Sequence, residues 1–157
     1  TIQTALRYSK PVLFISAEMD KDTLTNRMIS ALSSIPYDNI HNATLYDGML
    51  EQYSSATYQY QRLQIHIEDK QQPTISEVRA YARKAKRKYK NLGCIVIDYL
   101  QLLRDPSVKD RIQEVASISR KLKAMAKEFE CPIIALGQLN RDSEGTGKRP
   151  KAHNLKA

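Results

Sequence analysis

Cys94-Ile95-Val96-Ile97-Asp98 is the stretch on which the fold turns. Its four leading residues are apolar without alternation, so the strand they form must be covered on both faces, as in a parallel sheet. Gly93 ends the polar linker before it, and Asp98 follows it. Two other runs have the same build. Val12 to Ser16 (VLFIS) follows Pro11 and leads into Ala17 and Glu18. Pro132 to Leu136 (PIIAL) leads into Gly137 and Gln138. Both read as buried strands. Leu63 to Glu68 (LQIHIE) alternates and reads as a shorter one.

Helical patterns fill the gaps. Asp20 is placed to cap a segment in which Leu24, Met28 and Leu32 recur every four residues, ending before Pro36. Residues Tyr37 to Arg62 read as short helical pieces, with a break near Asp47-Gly48. Thr74-Ile75-Ser76-Glu77 after Pro73 is a capping-box pattern. The helix it predicts turns Val78, Tyr81, Ala82 and Ala85 inward and carries Arg83, Lys84, Lys86, Arg87, Lys88 and Lys90 outside. Val115, Ile118, Leu122, Met125, Ala126 and Phe129 mark a long amphipathic helix. Ile2 to Tyr8 is amphipathic, and Asn140 to Lys151 reads as a polar loop. Strands alternating with helices predict an α/β fold with a mostly parallel sheet and helices on both faces. The 157 residues are room for one domain over 1–157.

Composition narrows the function classes. An apolar content of 41% and a charged content of 27% are ordinary for a globular protein. No apolar run approaches the roughly 20 residues of a membrane-spanning helix, so no membrane partner is expected. The two cysteines, Cys94 and Cys131, lie in or beside strand-like runs without metal-ligand spacing, which predicts a reducing, cytoplasmic compartment. His41, His66 and His153 are scattered and do not form a metal motif. Lys plus Arg exceed Asp plus Glu by 25 to 17, a net charge of +8 that favours polyanionic partners.

In a parallel sheet the working site lies beyond the carboxyl ends of the strands. The residues there are Glu18, Asp98 and Gln138. Each alone has an ordinary reading: Asp98 as a turn residue, Glu18 as a helix-start acid, Gln138 as a polar loop residue. Together they match the needs of nucleotide hydrolysis. A carboxylate at a strand end holds Mg²⁺ through its water ligands, a second orients the attacking water, and an amide senses the terminal phosphate. The assignment is therefore Asp98 to the metal, Glu18 to the water and Gln138 to sensing, with Asp98 and Gln138 binding the cofactor. A phosphate-binding loop has the form G-x-x-x-x-G-K-[ST]. Gly145-Thr146-Gly147-Lys148 fails it, since Asp142 stands for the first glycine, Arg149 for the Ser/Thr, and Pro150 closes the segment. The helix Ile2–Tyr8 is expected to follow such a loop encoded just before Thr1.

These motifs resemble a known family. Ile95-Val96-Ile97-Asp98-Tyr99-Leu100-Gln101-Leu102 resembles the Walker B segment of DnaB-type replicative DNA helicases. Ser16-Ala17-Glu18-Met19 is similar to their S-x-E-M segment with its catalytic glutamate. Gln113-Glu114-Val115, Ile118-Ser119-Arg120 and Leu122-Lys123 resemble the next helix. Ile134 to Arg141 is similar to the sensor strand with its QLSR-like end. Ala17, Gly137 and His153-Asn154-Leu155 depart from the commoner residues there. The resemblance implies a RecA-like fold truncated at both ends, ATP with Mg²⁺, and a hexameric ring translocating 5′ to 3′ on single-stranded DNA. It also implies primase and helicase-loader partners. Two loops would face the DNA channel, Arg104–Arg111 and Asn140–Lys151, with Arg104, Lys109, Arg111, Arg141, Lys148, Arg149 and Lys151 as contacts. The basic stripe Arg83 to Lys90 reads instead as a solvated face, and Tyr53, Tyr58 and Tyr60 as core or half-buried helix positions. Two alternatives stay open: a RecA-like recombination or repair ATPase, and a non-hydrolysing module that binds DNA or a partner.

Overall fold

The computed structural model describes residues 2–138. Two five-residue strands, β1 (Val12–Ser16) and β3 (Cys94–Asp98), run parallel at its centre, with Val12 opposite Cys94 and Ser16 opposite Asp98. β2 (Ile65–Glu68) pairs with the far edge of β1, and β4 (Ile133–Ala135) with that of β3. The order is β2-β1-β3-β4 and every pairing is parallel.

Side chains alternate across a strand, which sorts the two continuous apolar runs onto two faces. Leu13, Ile15, Ile95 and Ile97 meet α5 (Ile75–Lys88) and α6 (Arg111–Glu128) through Val78, Ala82, Ile118, Leu122 and Met125. Val12, Phe14, Cys94 and Val96 meet α1 (Ile2–Tyr8) and α2 (Lys21–Ser33) through Ala5, Leu24 and Met28. Each fully buried branched side chain contributes about 1.5–3 kcal/mol. The sheet is therefore held from both sides, as its unbroken hydrophobic runs require. A third cluster joins α2 to α3 (Tyr37–His41) and α4 (Asp47–Arg62) through Ile29, Ile40 and Ala56.

Local chemistry sets the helix starts. Asp20 accepts the Thr23 amide at 2.7 Å, and Asp110 accepts that of Gln113 at 2.8 Å. At α5 the capping box is complete: the Thr74 hydroxyl accepts the Glu77 amide at 3.3 Å and Glu77 accepts the Thr74 amide at 2.8 Å. Lys70, with the Thr74 donors, holds the Glu77 carboxyl down at about 2. Gly93 is required by space. Its amide donates to the Pro11 carbonyl at 2.7 Å, and a Cβ there would sit 2.7 Å from Lys10 Cβ.

Two expectations need correction. Residues 37–62 do form separate helices, but the break falls at 42–46, just before Asp47, and 47–62 is a single helix of 16 residues; a Cβ on Gly48, in its first turn, would meet nothing within 4 Å. β4 is three residues long and is not buried on both faces. It pairs only with β3 among the described residues, and α6 covers the Ile133 side. Ile134 is 50% exposed and Leu136 46%.

Candidate functional site

Beyond the carboxyl ends of β1, β3 and β4 the chain is held by hydrogen bonds. At β1, the Ser16 hydroxyl donates to the Met19 carbonyl at 2.6 Å and accepts the Met19 amide at 3.1 Å. This closes a tight turn with Glu18 exposed on it. The Ala17 amide donates to the Asp98 carbonyl at 2.7 Å, so the turn rides on the end of β3. The peptide between Asp98 and Tyr99 is cis. At β4, the Leu136 amide donates to the Ile97 carbonyl at 2.9 Å, and the Leu136 carbonyl accepts from Leu100 at 2.8 Å.

The result is a shallow cleft of about 280 Å³ lined by Glu18, Asp98, Tyr99, Leu136, Gly137 and Gln138. The three residues singled out at strand ends thus share one cleft. The carboxylates of Glu18 and Asp98 make no hydrogen bond or ion pair with the described residues. A larger groove of about 510 Å³ lies between α5 and α6, but Arg79, Arg83, Arg87 and Lys121 give it a purely cationic polar lining apart from Ser76.

Sequence reasoning passed over Gln101, which is buried beside this cleft. Its amide nitrogen donates to the Gln138 carbonyl at 2.8 Å, and its amide oxygen accepts the Gln138 N–H at 3.2 Å. The only signal in the chain was a polar residue inside an otherwise apolar Leu100–Leu103 run.

The segment after β3 is built on buried acids. A short 3-10 turn, Leu100–Leu102, leads to Arg104, whose backbone bonds to Pro73 and Ile75 at the start of α5. Asp105 is buried and accepts from Ser107, from Ser117 at 2.8 Å and from Lys121 at 2.5 Å. Lys121 and then the serine hydroxyls drive its pKa far below the usual carboxylate range. Glu114 accepts the Asp105 amide at 2.7 Å and the Arg111 guanidinium. Burial alone pushes the Glu114 pKa up, but the Asp105 amide and Arg111, with Arg104 farther off, bring it below its ordinary value.

This changes the picture of the first predicted DNA loop. Arg111 opens α6, and its guanidinium reaches Glu114 and the Gln101 carbonyl. Arg104 lies 3.8 Å from Glu114 and is shared with Gln72. Lys109 is exposed and has no ion-pair partner among the described residues. Arg141, Lys148, Arg149 and Lys151 lie outside the described residues.

Other features fall as follows. On the basic stripe, Arg83 pairs with Glu128 and Lys84 with Glu68 across the outer surface. Tyr53 and Tyr60 pack half-buried, whereas Tyr58 is exposed under the Arg62 guanidinium, against expectation. Arg27 sits 5.3 Å from the Tyr37 ring, which also stacks on His41. His66 pairs with Glu68 at 3.0 Å. Cys94 and Cys131 are both buried and reduced. No described helix is long and apolar enough to cross a membrane.

Comparison with known proteins agrees with the resemblance. The profile of the DnaB-like helicase C terminal domain matches residues 1–157. The replicative DNA helicase DnaB of Buchnera aphidicola subsp. Schizaphis graminum is 42% identical over 107 residues, which are 68% of this chain and 23% of that protein. DnaB of Rickettsia typhi is 37% identical over 98 residues, 62% of this chain and 20% of that protein. The chain therefore spans under a quarter of the length of these curated relatives. Among solved structures, a DnaB-like replicative helicase described with its interactions with primase superposes with a TM-score of 0.86 at 30% identity, covering 95% of this chain and 37% of that one. A second solved structure, described as an ATPase domain, also superposes with a TM-score of 0.86 at 30% identity, covering 95% of this chain and 54% of that one. The fold is thus the RecA-like fold of these helicase ATPase domains.

Proposed function

Because this chain belongs to the DnaB-like helicase C terminal domain family, we propose that it is the ATPase core of a cytoplasmic replicative helicase that couples ATP hydrolysis to movement on single-stranded DNA and to duplex unwinding. The observation that carries the reading is the strand-end cleft. Two carboxylates and an amide, contributed by three adjacent parallel strands, face one open space of about 280 Å³.

The donor set suits the chemistry. Neither acid is engaged by a described cation, so both are open to what enters the cleft. Asp98, at the end of the central strand, would hold Mg²⁺ through water. The metal supplies charge neutralisation along the phosphates. Glu18, on the turn fixed by Ser16, orients the attacking water and draws its proton. Gln138 meets the terminal phosphate as a hydrogen-bond donor and loses that contact when the phosphate departs. Asp98 ends β3, while Glu18 and Gln138 lie two and three residues beyond β1 and β4, where hydrogen bonds hold the main chain.

DNA contact is assigned to two basic segments, 104–111 and 140–151. Lys109 is the freest cation of the first, with Arg104 and Arg111 behind it; Arg141, Lys148, Arg149 and Lys151 serve the second. A hexameric ring places these loops on its channel, and a primase and a loader are its partners.

The test is ATP hydrolysis by the full-length protein, with and without single-stranded DNA, for wild type and Glu18→Gln. Loss of general-base assistance lowers kcat by about 10²–10⁴-fold. DNA-stimulated hydrolysis that disappears in Glu18→Gln supports the reading. A wild type that binds DNA but hydrolyses nothing is a binding module instead.

A further inference from the structure

A peptide group just past the end of a strand must find a hydrogen-bond partner or face water. At the end of β4 that partner is a side chain. Backbone pairing between β3 and β4 runs on through Ile97, Leu136 and Leu100. The Gln101 amide takes over there, donating to the Gln138 carbonyl at 2.8 Å and accepting the Gln138 N–H at 3.2 Å. Its two bonds imitate the exchange a neighbouring strand would make. Among side chains only Asn and Gln offer donor and acceptor on one planar amide, and Gln101 has the reach.

Gln101 is itself held. The Arg111 guanidinium donates to the Gln101 carbonyl and to Glu114, and Glu114 accepts the Asp105 amide at 2.7 Å. A continuous set of hydrogen bonds therefore joins the cleft to the loop that follows β3. We infer that Gln101 is a positioning residue of the cleft: it fixes the main chain of Gln138, and Arg111 in turn fixes Gln101, so the cleft and the loop over residues 103–110 move as one unit. This rests on the cleft being the ATP-hydrolysis site. An amide that must meet a phosphate has to be held within about 0.5 Å of its productive place. Gln138 is exposed and its side chain has no other anchor among the described residues.

The experiment uses the full-length protein with Gln101→Met, which keeps length without donor or acceptor, and Gln101→Glu, which keeps only the acceptor. Hydrogen exchange read at single residues compares the Gln138 amide with that of Leu136, which donates to the Ile97 carbonyl at 2.9 Å. Gln101→Met is expected to speed exchange at Gln138 about tenfold with Leu136 unchanged, and Gln101→Glu to do so less. The kcat for ATP should fall about tenfold to a hundredfold with KM held within about threefold, since the lost contact matters after binding. Arg111→Lys, which keeps charge but cannot span both acceptors, should move both readouts in the same direction. Unchanged exchange at Gln138 in Gln101→Met overturns the inference. So does raised exchange with unchanged kcat in a protein that Glu18→Gln inactivates. If wild type hydrolyses no ATP, the function reading falls, and exchange at Gln138 still upholds or overturns the clamp.

Discussion

Glu114→Gln isolates the contribution of the buried acid network. Glu114 is 7% exposed, and one carboxylate oxygen accepts the Asp105 amide at 2.7 Å while the other faces Arg111 and, at 3.8 Å, Arg104. Gln has nearly the same shape. Its oxygen can keep the Asp105 amide, but its NH₂ then points at two guanidinium groups. A charge-assisted hydrogen bond becomes a donor facing a donor. Such bonds are worth about 1.5–3 kcal/mol. Water can reach part of the Arg111 guanidinium, so the loss should be about 2 kcal/mol. Glu128→Gln is the control, because Glu128 is 37% exposed and meets Arg79 at 3.6 Å and Arg83 at 3.2 Å on the surface. Exposed pairs contribute about 0–1 kcal/mol. A domain of this size shifts its Tm by about 2–4 °C per kcal/mol. Thermal melts at pH 7 should drop by roughly 4–8 °C for Glu114→Gln and by less than about 4 °C for Glu128→Gln. The pH dependence has a definite sign. Asp105 and Glu114 have folded pKa values below their unfolded ones, so their stabilisation is present above about pH 4 and is lost as pH falls. Wild type should therefore lose more Tm than Glu114→Gln between pH 7 and pH 3. Equal melting shifts for the two variants at pH 7 would refute the argument that burial decides what these ion pairs contribute.

Gly93→Ala should destabilise by about 1–3 kcal/mol, since its Cβ would press on Lys10 Cβ at 2.7 Å and the Pro11 carbonyl at 3.2 Å; a thermal melt at wild-type temperature would contradict this. Cys94 and Cys131 should resist alkylation until denaturant is added, because both are buried and burial raises the Cys131 pKa. Mass spectrometry after a timed iodoacetamide pulse at pH 8 reads this, and rapid labelling of folded protein would count against the packing described.

What could be read from the chain was whatever depends on neighbours in sequence. The apolar runs at Val12 and Cys94, the cap at Asp20 and the box at Thr74–Glu77 all state their structure within a few residues. So do the strand-end positions of Glu18, Asp98 and Gln138, because a parallel sheet puts its carboxyl ends on one edge. Features that depend on distant partners were not readable. The PIIAL run announced a strand but not that α6 would cover only one side of it. The break expected at Asp47-Gly48 falls a few residues earlier, at 42–46, and the unbroken length of α4 was not readable because propensity cannot see Ala56 packing into the third cluster. Arg111 looked free because charge alone does not reveal Glu114 beneath it. Gln101 acts on a residue 37 positions away.

The order β2-β1-β3-β4 also governs how the chain can acquire its shape. Of the four described strands β1 comes first in sequence yet lies in the interior of the sheet: among the described residues Val12 finds its partners at Ile65 and Cys94. Its apolar run Val12–Ile15 must wait, unpaired, until Ile65 and then Cys94 have been made. Closing such long loops precedes any reward from the pairing, so parallel sheets of this kind assemble slowly. The α2–α4 lobe, built from near neighbours, can form meanwhile and shelter the Val12–Phe14 side. The opposite side is covered in two steps, by α5 and then by α6, so part of it stays exposed to misassociation until the last helix is made.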